Sequence, residues 1–504
     1  MMYSATELKH SAIHFLSGKA VSALLTLIIL LLLVRLLTTE EYGMYVLLVA
    51  TMELALAIFS FGLPWLSARY LPECRLHGNG QLLVQFVWKI IALFAFTLLA
   101  GAFLLFAMTQ WLMPAELMQY ETPAKLFLAV LFLEGLSRRI RENILASLMQ
   151  QKLAQISLAA RNFIFLLLIG IAVSHGSIYL YYVILAEIAA SALGFLLVLY
   201  GLNLHLNTYQ NKSGKDNWQL PKASKMWRVA RNMYFSHLII LTYSPQTLIL
   251  ITQRYLGIEA TALFGFLCKL YMQIANYLPA TLLFNLIQPK LVASYVYSGS
   301  MHELTRNANL AGKLSLFVLM PVVVYVWLTG DELLNLISDG KFTQAGDYLT
   351  GLMFAMIPLS QHRILTTIVV AIDKNHIVLW GSILGVLSLP LAYGLLEANQ
   401  GLWGPISAII ISQLLFNATI ISFLMHNTAY RPDSSGLIKL ILAATGGFFL
   451  AQLSVFQTQG WTNLLILALL VPAFFLLTAY FFKPFKVEER ERLNGFVNKK
   501  VFYW

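Results

Sequence analysis

Stretch after stretch of this chain is long and apolar enough to cross a lipid bilayer, and no other feature limits its fold so strongly. A helix crosses the hydrocarbon core with about 20 mostly apolar residues. Fourteen such stretches are read, at 12–37, 43–63, 82–108, 123–149, 153–174, 178–201, 230–252, 260–287, 311–329, 347–371, 377–396, 403–425, 437–456 and 462–482. The fourth and seventh are the most polar. Of the residues, 59% are apolar and 11% charged, whereas a soluble domain carries about 25% charged residues. A water-soluble enzyme and a disordered chain are both excluded. The expected fold is an all-α polytopic membrane protein. The first apolar run exceeds an h-region of about 7–15 residues, so it is expected to stay as an anchor.

The loops set the orientation. One set is basic: Lys9 and Lys19, then Arg69 and Arg75, then Lys212, Lys215, Lys222, Lys225, Arg228 and Arg231 against Asp216. Lys290 and Arg306, Arg431 and Lys439, and a tail with Lys483, Lys486, Arg490, Arg492, Lys499 and Lys500 continue it. The opposite set holds Glu40, Glu41, Glu116, Glu121, Glu259, Asp331, Glu332, Asp339 and Glu397. By the positive-inside rule both termini should be cytoplasmic, and the net charge of +11 reflects this bias rather than nucleic-acid binding. No loop on the acidic side is long enough for a folded domain. That disfavours a membrane glycan polymerase or ligase. Cys74 and Cys268 stand in unrelated segments, so neither a disulfide framework nor a metal site is expected.

An internal repeat organises the spans. Arg35-Leu-Leu-Thr-Thr-Glu-Glu-Tyr-Gly-Met-Tyr45 follows the first span, and Arg254-Tyr-Leu-Gly-Ile-Glu259 through Phe264-Gly-Phe266 follows the seventh. Each has Arg-x-Leu, then an acid, then an aromatic-Gly-hydrophobic step. Arg141 precedes Lys152 as Arg363 precedes Lys374, and Lys89 and Lys313 open the third and ninth spans. The expected organisation is a six-helix bundle over 1–201, a linker loop over 202–229, and a second six-helix bundle of the same orientation over 230–425. An appended pair over 426–482 and a tail over 483–504 follow. Parallel repeats of this kind build transporters with a site between the halves.

The Arg35–Tyr45 step, Tyr255-Leu-Gly257 with Ala262-Leu-Phe-Gly265 and Lys269-Leu270, Pro289-Lys-Leu291 and Gly401-Leu-Trp-Gly404 resemble Wzx-type polysaccharide flippases. These form the polysaccharide-transporter branch of the multidrug/oligosaccharidyl-lipid/polysaccharide exporter superfamily. The resemblance covers essentially the whole chain. It implies two bundles working by alternating access in a bacterial cytoplasmic membrane. It also implies transport, not catalysis, of an undecaprenyl-diphosphate-linked oligosaccharide, such as an O-antigen or exopolysaccharide unit, to the outer leaflet. Membrane lipids and the pathway's polymerase and glycosyltransferases are the implied partners, and nucleic acid is not.

Ionisable residues at bilayer depth are functional candidates by default. Span four carries Glu134, Arg138, Arg139, Arg141 and Glu142. At about 100° per residue, all but Arg139 share one face, and Glu134 and Arg138 are spaced to pair. Arg141 and Arg363 each lie ~16 Å along a helix from a boundary lysine, against ~15 Å for half a hydrocarbon core. Together with Lys269, Arg138 and Lys19 they are the candidate diphosphate ligands, since a guanidinium offers an anion two parallel donors. Ser22 and Thr26 share the face of Lys19. Glu53, Glu134 and Glu187 are the candidates for coupling to a proton or sodium gradient. Their alternative role is to neutralise Arg138, Arg161 or Lys89. No cofactor is expected. The competing readings are a multidrug or cation exporter of the same superfamily, which the lysine in span one disfavours, and a lipid II flippase.

Overall fold

The computed structural model describes residues 5–176, 178–209, 220–278, 295, 300–372, 374, 376–453 and 460–497. The described residues are helical, with no β-strand among them. They divide into two compact units, Met1–Leu241 with Gly257–Ala262, and Thr242–Leu256 with Leu263–Trp504.

The first unit holds α1 (Ala5–Leu36), α2 (Thr39–Ile58), α3 (Leu63–His77), α4 (Gly80–Leu112), α5 (Glu121–Arg139), α6 (Gln151–Ser174), α7 (Leu180–Asn207) and α8 (Ala223–Leu241). The Arg35–Tyr45 motif is the α1–α2 turn. Thr38 caps α2 by accepting from Glu41 N, and the Glu41 carboxylate accepts from Thr38 N at 3.2 Å, a reciprocal box that fixes where α2 starts. Glu41 also accepts from Leu180 N at 3.1 Å, which ties this turn to α7. Gly62 bends the chain between α2 and α3. Its φ is +78°, and a Cβ there would lie 2.9 Å from the Ala230 carbonyl. That close approach seats α8 on α3, with Trp65 against His237 and Tyr234 donating to the Ile58 carbonyl. The first unit therefore extends past the 202–229 loop to include α8.

The second unit holds α9 (Pro245–Ala275), α10 (Met301–Ser338), α11 (Gly346–Ala371), α12 (His376–Gly385), α13 (Ser388–Glu397), α14 (Trp403–Asn427), α15 (Ser434–Leu453), α16 (Trp461–Phe482) and α17 (Val487–Val497). Residues 257–262 of α9 group with the first unit. Ser244 caps α9, Pro245 opens it, and Gly257 breaks it at φ +82°. That break is the second copy of the Arg-x-Leu step. Leu304, Ile364, Ile368, Phe416, Ile420 and Tyr430 form a core between α10, α11 and α14. The appended pair, α15 and α16, packs closely where Gly447 meets the Phe475 backbone, as small residues allow in lipid. Trp327 lies over Phe448, their ring centroids 4.6 Å apart, and joins the pair to α10.

Twelve stretches among the described residues are long and apolar enough to cross a membrane. The fourth sequence-read span, α5, is not among them because of its charges. The seventh and eighth fall in one stretch, 223–275, interrupted before Pro245 and at Gly257. The chain is a multi-pass membrane protein. Asn211-Lys-Ser213, Lys215, Asp216, Asn285, Gln288, Pro289-Lys-Leu291, Lys499 and Lys500 lie outside the described residues, as do the side chains of Lys9, His10 and His14.

Candidate functional site

Charge concentrates in the first unit where α2, α5, α6 and α7 meet. After Arg139, α5 passes into a π-helical turn, Ile140–Leu145, before α6 begins at Gln151. A π turn carries an extra residue and shifts the phase of all that follows. Arg141 lies in that turn and points back along its own helix. It donates to Ser137 Oγ at 2.5 Å and to Glu134 Oε1 at 2.5 Å. Arg141 and Glu134 are each 4% exposed.

The expected Glu134–Arg138 pair therefore gives way to a different one. Arg138 reaches across to α2 and donates to Glu53 Oε1 at 2.6 Å, both side chains partly exposed. Arg139 points elsewhere and donates to the Leu56 carbonyl at 2.5 Å. Arg161, on α6, donates to Glu187 Oε1 on α7 at 2.7 Å and approaches Glu134 Oε2 at 3.7 Å. The second distance is beyond hydrogen-bond range, so this contact is Coulombic only. Arg161 also donates to Asn162 Oδ1 at 3.1 Å and lies 5.5 Å from the Phe165 ring centroid. Asn162 donates to Thr26 Oγ1 at 3.2 Å, extending the network to α1. Gly194 makes room for it, since a Cβ there would sit 2.9 Å from Arg161 Cβ.

Glu53, Glu134 and Glu187 thus stand against Arg138, Arg141 and Arg161 in matching number, so this constellation carries no net charge. A buried pair of this kind barely repays its desolvation, yet losing one partner is costly. The Arg141 guanidinium is buried against Glu134 and Ser137, part of a compensated network. Among the described residues, Glu134 Oε2, Arg161 Nε and Glu187 Oε2 are buried without a hydrogen-bond partner.

The second unit distributes its cations differently. Arg363, on α11, is exposed, and so is Lys269 on α9. Lys19, on α1 of the first unit, is half-buried, beside the buried Ser22. Next to Arg363, His362 stacks flat on Phe416 with ring centroids 3.9 Å apart, and Gln361 donates to the Gly312 carbonyl at 3.3 Å. Asn417, on α14, donates to the Pro358 carbonyl at 2.7 Å.

Arg161, Ser137 and Asn162 complete the first unit's network without having been singled out as site residues. The Arg161-Asn162 doublet inside an otherwise apolar helix was the available signal. Tyr243 is buried against Gly385, and Ser244 caps α9. Among the described residues no group of His, Cys, Asp and Glu is placed to hold a metal ion.

Comparison with known proteins places this geometry in context. The family model described as "Polysaccharide biosynthesis protein" matches residues 8–283, more than half of the chain. No curated protein matches it in sequence. Among solved structures, the lipid II flippase MurJ in an inward closed conformation aligns with a TM-score of 0.69 at 12% identity, covering 94% of this chain and 99% of that one. An inward-facing multidrug resistance MATE family transporter of the MOP superfamily aligns with a TM-score of 0.63 at 14% identity, covering 82% and 98%. A Vibrio cholerae MATE transporter, VcmN, aligns with a TM-score of 0.55 at 12% identity, covering 84% and 99%. At these identities the likeness is one of fold.

Proposed function

Because this chain belongs to the polysaccharide biosynthesis protein family, on a MurJ- and MATE-like fold, we propose that it flips an undecaprenyl-diphosphate-linked oligosaccharide between leaflets by alternating access. It is a transporter and not an enzyme. The membrane is the bacterial cytoplasmic membrane, both termini are cytoplasmic, and the glycan crosses to the outer leaflet.

One observation favours an anionic cargo. Arg363 is exposed on a helix of membrane-crossing length. A guanidinium in such a place is tolerated where water or a polar ligand meets it. A diphosphate is the ligand its paired donors suit. Lys269 and the partly exposed Arg138 are the next candidates. Lys19 is a further one near the start of the first span. Arg141 serves by holding Glu134 and the π turn in place.

Only a ligand that binds the two transport states unequally can shift them. A diphosphate does so by engaging Arg363 more strongly in one state than in the other. Glu53, Glu134 and Glu187 then hold the charge that a proton or sodium ion balances during return. Transport with and without a gradient in Glu53→Gln and Glu187→Gln variants tests this step, and unchanged gradient dependence ends it.

The cargo is tested with purified protein in liposomes, offered the oligosaccharide lipid, lipid II or a cationic dye. The expected result is movement of the oligosaccharide lipid, abolished in Arg363→Ala and partly kept in Arg363→Lys. Equal transport by Arg363→Ala removes this residue from the site, and transport of the dye alone overturns the anionic reading.

A further inference from the structure

The tail of the chain is tied into the second unit by one buried ammonium. Lys313, on α10, is 1% exposed. Its Nζ donates to Asp433 Oδ2 at 2.7 Å, to Glu489 Oε2, and to the Pro484 carbonyl at 3.3 Å. It lies 5.6 Å from the Phe485 ring centroid. A lysine ammonium has three donors, and all three are used on protein acceptors. Those acceptors come from separate places. Asp433 precedes α15, Pro484 follows α16, and Glu489 is on α17.

The surroundings are built to the same end. Gly436 leaves space for the lysine, since a Cβ there would lie 2.6 Å from Lys313 Cδ, and its N–H donates to Asp433 Oδ1 at 3.3 Å. Lys486 N donates to Glu489 Oε2 at 2.8 Å. Phe317, four residues along α10, packs against Phe475 of α16 and Phe485 of the link. Arg492 donates to Asn307 Oδ1 at 2.7 Å, and Arg306 approaches Glu488 at 3.5 Å.

We propose that residues 484–497 are a permanent strap, keyed by Lys313, that fixes the appended pair and the tail helix to α10 as one rigid body. The strap stays closed throughout the transport cycle. A tail that merely rested on the surface would not place its carboxylate on a fully buried lysine. A mobile gate would not require α10, the Asp433 turn and the link after α16 to surrender the same ammonium together. The proposal does not depend on which cargo is carried.

Limited digestion of the full-length protein in nanodiscs with an arginine-specific protease tests it, with a C-terminal tag reporting cleavage at Arg490 and Arg492, no arginine lying between them and the tag. Wild type is expected to lose its tag slowly, at the same rate with and without transported lipid. Glu489→Gln and Lys313→Met should each speed tag loss at least tenfold while the helices upstream stay intact. The triple variant Lys313→Met, Asp433→Asn, Glu489→Gln should recover most of the protection, because no buried charge is left without its partner. Asp433→Asn alone keeps Glu489 on the ammonium and should fall between. If Lys313→Met unfolds and is cut throughout, the milder Glu489→Gln and Asp433→Asn variants still decide. Wild-type cleavage as fast as that of Glu489→Gln, or cleavage that changes with transported lipid, overturns the proposal.

Discussion

The two units solve the problem of charge in a membrane protein in opposite ways. The first sets three carboxylates against three guanidiniums among helices α2, α5, α6 and α7, with Glu134, Glu187 and Arg141 buried and the Glu53–Arg138 pair partly exposed. Among the described residues of the second unit one cation, Lys313, is buried, among groups from the appended helices and tail, while Arg363 and Lys269 are exposed. The contrast extends to Lys89 and Lys313. Lys89 is exposed on α4, in line with the exposed Phe96 and Phe103. Lys313 on α10 is buried under groups that precede α15, follow α16 and stand on α17. Balanced networks of this kind hold helices together.

Glu134→Ala should give the largest loss of stability, because it strands Arg141 and weakens the hold on Arg161. About 3–5 kcal/mol is expected for a broken buried pair, read as a large drop in melting temperature or failure to assemble. Arg363→Ala is its counterpart, with transport lost but stability changed by no more than about 0.5 kcal/mol. Should Glu134→Ala melt like wild type, or Arg363→Ala unfold, the division of labour between the units collapses. Gly194→Ala sharpens the picture in the first unit by pushing a methyl against Arg161, at about 1–3 kcal/mol, and should be partly relieved by a smaller residue at 161. Asn162→Ala removes the link to Thr26 at about 1 kcal/mol, measured in the same melting assay.

The smallest effect is one of pH in the second unit. Burial raises the Asp433 carboxyl, but the hydrogen bond and charge of Lys313, with Gly436 N and Lys486, outweigh it and hold the group below its usual 3.8. A depressed carboxyl stabilises the fold above its unfolded value, and that contribution is lost as pH falls through the lower folded one. The strap should therefore hold through mildly acidic conditions and loosen only below about pH 3.8, the unfolded reference. In Asp433→Asn this acid-dependent component should vanish from the melting curve.

Several features were readable from residues alone. Apolar length marked the helices, and the Arg35–Tyr45 step and its copy at Arg254 marked two turns that the structure shows as a capped helix start and a glycine break. The unusual charge of α5 was equally plain. Its partners were not. Spacing put Glu134, Arg138 and Arg141 on one face and suggested Glu134 with Arg138, but packing gave Arg138 to Glu53 of α2 and left Glu134 to Arg141. Likewise Lys313 was visible as a repeat marker, while its burial under a tail more than a hundred residues away was not.

The sequence by itself determined that this protein is helical, spans a membrane and carries charges among its apolar helices, because apolar length and periodicity are local properties of the chain. Only the tertiary structure decided which of those charges cancel one another and which stay exposed. Pairing depends on the packing of distant segments, which brings Glu53 of α2 to Arg138 and Glu187 of α7 to Arg161.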